Sequence, residues 1–111
     1  MLARAVNVDQ IPGFDAGELT VQDTGAQLAA PLLGAAPGQR VLDACAAPGG
    51  KTGHLLEQVP GIGEMVAVDI DPARLALLES TLDRLGQRAS VVRADVTDTG
   101  SWWDGRLFDR I

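Results

Sequence analysis

An α/β fold built on a parallel sheet is the fold class this sequence predicts, and three observations predict it. Short apolar runs at 41–42, 65–68 and 91–92 alternate with stretches of helical spacing. Each run leads into an acidic residue, and the first continues into a Gly-rich turn. The third observation is composition: 46% hydrophobic residues with 4% aromatics, 13 Gly and no Tyr suit a packed core of Ala, Val and Leu. Strand–helix–strand alternation implies right-handed crossovers and a ligand crevice at the carboxyl ends of the strands. At 111 residues the chain makes one small domain at most.

Residues 1–22 show no helical period, and Pro12-Gly13 and Ala16-Gly17 divide them into short extended pieces, so they are expected to form an irregular lead-in. From 23 to 111 the α/β unit is expected. Asp23 or Thr24 can cap a first helix whose apolar face is Ala26, Leu28, Ala29, Leu32 and Leu33, with Pro31 expected to kink or end it. After a turn over 34–38, Val41-Leu42 starts the first strand, Asp43 to Gly50 the tight loop, and Leu55, Leu56 and Val59 mark the next helix. Pro60-Gly61 stops that helix, and 65–69 reads as the second strand. Asp71 ahead of Pro72 is a strong helix start; Leu75, Leu78, Leu82 and Leu85 follow at helical spacing, and Gly86 stands where a C-terminal cap belongs. Residues 90–95 read as a third strand and 107–111 as the beginning of a fourth. Open doubly wound sheets have more strands than four, so a fragment of a longer domain is expected.

Charge and cysteine content exclude several functions. The formal net charge is −6, the opposite of a domain that grips nucleic acid by itself, and Arg84, Arg88 and Arg93 read as solvated side chains. Cys45 is the single cysteine, so neither an internal disulfide nor a thiolate zinc cluster can form, and a reducing, cytoplasmic setting fits. Residues 1–10 lack the basic and apolar regions of a signal peptide, and no run has the length of a membrane span, so no membrane association is expected.

Three features fall at successive strand ends: the loop after the first strand, Asp69 after the second and Asp95 after the third. The loop offers backbone N–H groups at a helix N-terminus, suited to a phosphate or carboxylate. Asp69 lies 19 residues beyond Gly50 (69 − 50), near the interval at which a strand-end acid meets ribose hydroxyls in nucleoside-binding α/β folds. Gly50-Lys51-Thr52 matches the end of a P-loop, but Cys45 stands where its first glycine is required, and no G-x-G-x-x-G spacing occurs. A nucleoside ligand other than a nucleoside triphosphate or dinucleotide is the inference.

The run Val41-Leu42-Asp43-Ala44-Cys45-Ala46-Ala47-Pro48-Gly49-Gly50-Lys51-Thr52 resembles the cofactor loop of the Fmu/Sun family of rRNA cytosine-C5 methyltransferases. The likeness extends to Val21-Gln22-Asp23, Ala26-Gln27, 66–71, Arg74-Leu75, Leu85-Gly86 and 108–111. It implies a Rossmann-like S-adenosylmethionine-dependent methyltransferase fold, here with a partial parallel sheet. It further implies that Cys45, Ala46, Ala47, Pro48, Gly49, Gly50 and Lys51 wrap the methionine part of S-adenosyl-L-methionine. Asp69 would bind the ribose hydroxyls and Asp95 the adenine amino group, roles that agree with carboxylate hydrogen bonding.

In that family an Asp-Ala-Pro-Cys-type segment follows the fourth strand, and a later Cys attacks C6 of cytosine so that C5 becomes nucleophilic. Neither motif occurs here, so no catalytic residue is assigned and the nucleophile is expected beyond Ile111. Ribosomal RNA would be engaged through parts outside these residues, including the family's helical N-terminal domain. A non-catalytic cofactor-binding or RNA-processing module, or a tRNA-directed enzyme, is the alternative. Cys45 reads as a small loop residue, His54 as packing or capping, and Trp102 and Trp103 as covers of the core edge. Lys51 reads equally as a partner of a cofactor carboxylate or as a solvated lysine, and Asp43 as a turn residue.

Overall fold

The computed structural model describes residues 6–111; the first five residues of the expected lead-in lie outside the described residues. Three parallel strands form the sheet in the order β1 (Arg40–Asp43), β2 (Glu64–Asp69), β3 (Ser90–Arg93), with Val41 opposite Met65 and Val68 opposite Val92. Helices α2 (Gly50–Gln58) and α3 (Pro72–Arg84) make the crossovers. Leu78, at 0% exposure, and Leu75 and Leu82 fill the space under α3 against Ala46, Ala47 and Ala67. On another side Leu42, Val66 and Val68 meet Trp102 and Phe108.

Local chemistry explains the boundaries. Asp71 caps α3 by accepting from the N–H groups of Ala73 (2.8 Å) and Arg74 (3.3 Å), with Pro72 at the first helical position. The helix ends at a left-handed Gly86, φ +65°, where the Gln87 N–H donates back to the Leu82 carbonyl at 2.9 Å, a Schellman closure.

Several details differ from expectation. The first helix is a 3-10 turn (Ala26–Leu28) running into the short α1 (Ala29–Leu33); Leu28 and Leu32 are exposed, and Ala30 is the buried residue. Pro31 neither kinks nor ends α1, because in the first turn its missing N–H takes no helical hydrogen bond away. Residues 107–111 form a single parallel bridge, Arg110 to Val41, instead of a strand, and β3 ends at Arg93. The bridge still puts this segment on the free edge of β1, the side opposite β2. A further helix, α4 (Thr99–Trp102), had no sequence signal; Trp102 anchors it by donating to the Val96 carbonyl.

The described part of the lead-in contains a 3-10 turn (Val8–Gln10) and is fastened to the end of α3. Arg84 donates to the carbonyls of Phe14 and Leu19 at 2.6 and 3.1 Å, and its guanidinium lies 3.9 Å from the Phe14 ring centre. Gly17 has φ +76°, and a Cβ there would stand 2.1 Å from the Arg84 carbonyl oxygen. Gly17→Ala is therefore expected to lose about 1–2 kcal/mol to backbone strain alone and to lift the lead-in off α3. Limited proteolysis should then cut within residues 7–22 faster than in the parent chain; equal cutting rates would contradict this docking.

Candidate functional site

The loop from Asp43 to Gly50 turns the chain from β1 into α2, and its residues divide by direction. Ala46, Ala47 and Gly49 face the core, whereas Cys45, Pro48, Gly50 and Lys51 are exposed at the carboxyl end of the sheet. Gly49 is required on two counts: its φ is +106°, and a Cβ would come within 2.8 Å of Leu78 Cδ1. Among the described residues no side chain caps α2, which leaves its first N–H groups available to an anionic ligand group.

Two acids hold the loop. The Asp43 carboxylate accepts from the Thr52 hydroxyl at 2.7 Å and from the Cys45 N–H at 3.4 Å, and Thr52 is fully buried. Asp69 lies beneath the loop with its side chain 2% exposed. Its carboxylate accepts from the Ala47 N–H and the Asp71 N–H, both at 3.1 Å, and Cys45 Sγ is 4.0 Å away. The Asp71 N–H foremost, and then the Ala47 N–H and the Arg74 guanidinium, hold the Asp69 carboxyl below the usual aspartate range against the opposing effect of burial.

Asp95 is exposed. The Thr97 hydroxyl (2.6 Å) and N–H (2.9 Å) both donate to its Oδ1, which lowers its pKa and leaves Oδ2 open to a ligand donor. Register places it beside Asp69: Asp69 pairs with Arg93, and the Ala94 N–H donates to the Asp69 carbonyl at 3.1 Å. The loop, Asp69 and Asp95 thus occupy one edge of the sheet. Among these predicted residues Asp69 departs from an open ligand group, since the loop covers it.

Two cavities lie near the sheet, and the smaller one touches this end of it. One of about 380 Å³ is lined by Asp43, Ala44 and Lys51 together with Leu33, Leu55 and Ile111. A larger one, about 710 Å³, lies between the last turns of α2 and α3 and the amino ends of β2 and β3, with neither the loop nor Asp95 in its wall. The chemistry favours the loop edge, where donors and acceptors converge; the larger space is bounded by Glu64, Glu79, Asp83 and Arg88. His54 is half-buried, and its Nδ1 and the Gln22 Nε2 are buried with no hydrogen-bond partner among the described residues. Trp102 covers the core edge, while Trp103 is exposed. Among the described residues no three metal-ligating side chains cluster, and no helix is long and apolar enough to cross a membrane.

Sequence reasoning missed Thr52 as the partner of Asp43, and it missed the contacts of Arg74. Arg74 was nonetheless signalled, because Asp71-Pro72 fixes the helix start and side chains of the first turn lean back toward the strand end.

The model of the family described as 16S rRNA methyltransferase RsmB/F matches residues 30–111. A Pseudomonas putida protein named ribosomal RNA small subunit methyltransferase B is 54% identical over 111 residues, covering 100% of this chain and 26% of that protein. A Xylella fastidiosa protein of the same name is 52% identical over 102 residues, 92% of this chain and 24% of its own length. The chain therefore spans about a quarter of the length of the curated relatives it matches. Among solved structures, NSun6 from Pyrococcus horikoshii, crystallised with SFG, superposes with a TM-score of 0.86 at 26% identity over 96% of this chain and 27% of that one.

Proposed function

This chain belongs to the 16S rRNA methyltransferase RsmB/F family, and from that membership we propose that its residues form the cofactor-binding part of an enzyme that methylates C5 of cytosine in ribosomal RNA. The observation that carries the reading is the convergence of the open α2 N-terminus, Asp69 and Asp95 on one sheet edge. Those groups fit S-adenosyl-L-methionine part by part. Its carboxylate suits the open N–H groups of α2 and the Lys51 ammonium, and its adenine amine suits Asp95 Oδ2. Asp69 has two N–H partners and lone pairs to spare, which would serve ribose hydroxyls once the loop uncovers them.

When bound, the cofactor supplies the methyl group; these residues bind and orient it. The only thiol, Cys45, sits on the loop, so addition to C6 of a cytosine falls to a cysteine outside these residues. The net charge of −6 likewise leaves the grip on RNA to other parts of the protein. The relatives' small-subunit names favour ribosomal over transfer RNA.

Calorimetry with S-adenosylhomocysteine, ATP and NAD tests the cofactor assignment on the 111-residue chain. S-adenosylhomocysteine should bind best, and tighter binding of ATP would overturn the reading. Asp95→Ala should leave the fold intact, since Asp95 is exposed, and should reduce the preference for adenine over other bases several-fold. Comparing S-adenosylhomocysteine with its inosine counterpart measures that preference; an unchanged ratio would remove Asp95 from the site.

A further inference from the structure

Arg74 stands in the first turn of α3 with its side chain 44% exposed, yet its guanidinium turns inward to two groups. Nη2 donates to the carbonyl of Ala47, and Nη1 lies 3.7 Å from Asp69 Oδ2. That same Oδ2 accepts from the Ala47 N–H. Both backbone polar atoms of Ala47 are thus engaged by one ion pair, the N–H by the acid and the carbonyl by the base. Ala47 is itself 96% buried, against Leu75, Leu78 and Leu82, so the peptide is fixed on its apolar side too. The next residues along, Pro48, Gly50 and Lys51, are those exposed at the sheet edge.

We propose that Arg74 is a positioning residue for the cofactor: paired with Asp69, it clamps Ala47 and so sets the direction of the Pro48–Lys51 segment that would hold the methionine part. This rests on the functional reading above and adds a residue to it. Lysine would not replace the arginine fully, since a point charge cannot address a carbonyl and a carboxylate together with a planar fork. The role is positional because the two contacts the guanidinium makes are to the protein's own Ala47 carbonyl and Asp69 carboxylate.

The test separates positioning from general stability by the ligand used. Arg74→Ala should weaken S-adenosylhomocysteine about tenfold or more, whereas 5′-methylthioadenosine, which lacks the amino-acid part, should bind within about twofold of the parent value. Arg74→Lys should fall between, and millimolar methylguanidinium should restore part of the Arg74→Ala loss. Hydrogen exchange at the Ala47 amide, read by NMR without ligand, should quicken in Arg74→Ala and remain slower in Arg74→Lys. Equal weakening of both ligands, or an unchanged Ala47 exchange rate, would overturn the clamp while leaving the cofactor assignment in place. No binding of S-adenosylhomocysteine by the parent chain would overturn the assignment and the clamp with it.

Discussion

Asp69→Ala is expected to cost the folded chain about 3–5 kcal/mol and to remove measurable S-adenosylhomocysteine binding. The loss has three sources. The N–H groups of Ala47 and Asp71 would be left without their acceptor, a penalty of about 1–3 kcal/mol for each that stays buried. A cavity would open under the loop. Arg74 would lose its counter-ion, but at 44% exposure it turns to water at little cost, so the N–H groups dominate. Asp69→Asn is no safe substitute, because its NH2 must point a donor at one of the two N–H groups. Urea unfolding with calorimetry measures both effects. A stable Asp69→Ala chain that lost only binding would show that Asp69 serves the ligand and not the loop.

The same carboxylate predicts an acid limit. Its folded pKa is lowered, chiefly by the Asp71 N–H, so its contribution to stability is present above the usual aspartate value and disappears as pH falls through the folded value. The parent chain should therefore lose stability more steeply than Asp69→Ala in the acid range below about pH 4. Parallel pH profiles of the two chains would contradict this.

How much of this could be read beforehand depended on whether the signal was local. The cap at Asp71-Pro72, the leucine repeat of α3 and Gly86 act within a turn or two, and the helix ends within one residue of expectation. The first three strands were legible for the same reason, as apolar runs, although β3 ends at Arg93 ahead of its acid and the expected fourth strand is a single bridge. What stayed hidden was settled by tertiary contacts. Leu28 and Leu32 satisfy a helical period yet lie exposed, since the short helix turns Ala30 and Leu33 instead to the core of Val41, Leu55 and Met65. The loop acids were identified by type and place, but no spacing could show that Asp69 faces up into Ala47 while Asp95 faces solvent. Nor did any pattern reveal Arg40, one of the most heavily bonded side chains in the domain.

Arg40→Met is expected to cost about 2–3 kcal/mol and to release residues 104–110 from the edge of β1. The Arg40 side chain is 11% exposed. It donates to Glu64 at 2.7 Å, to both Asp104 oxygens at 2.8 and 3.0 Å and to the Arg106 carbonyl at 2.6 Å, with the Phe108 ring centre 4.2 Å from its guanidinium. Its backbone completes the attachment: the Arg40 N–H donates to Asp109 Oδ2, and its carbonyl accepts from the Asp109 N–H, each at 2.8 Å. Methionine keeps the apolar stem and removes the fork, so Glu64 and Asp104 would keep only the exposed Arg106 guanidinium, 3.2 and 3.8 Å away, as their cation. Partial exposure of both acids, 30% and 44%, lets water relieve them and holds the estimate below that of a fully buried pair. The double-mutant cycle with Asp104→Asn isolates the bidentate contact, and its coupling should survive 0.5 M salt better than that of Arg106, whose side chain is 67% exposed. Tryptophan fluorescence reports the release directly, because Trp103 Nε1 donates to the same Arg106 carbonyl at 2.7 Å. If Arg40→Met matched the parent within about 0.5 kcal/mol, desolvation would have offset the attraction, and the clamp on the edge of β1 would rest on the bonds of Asp109 and Arg110 to the β1 backbone.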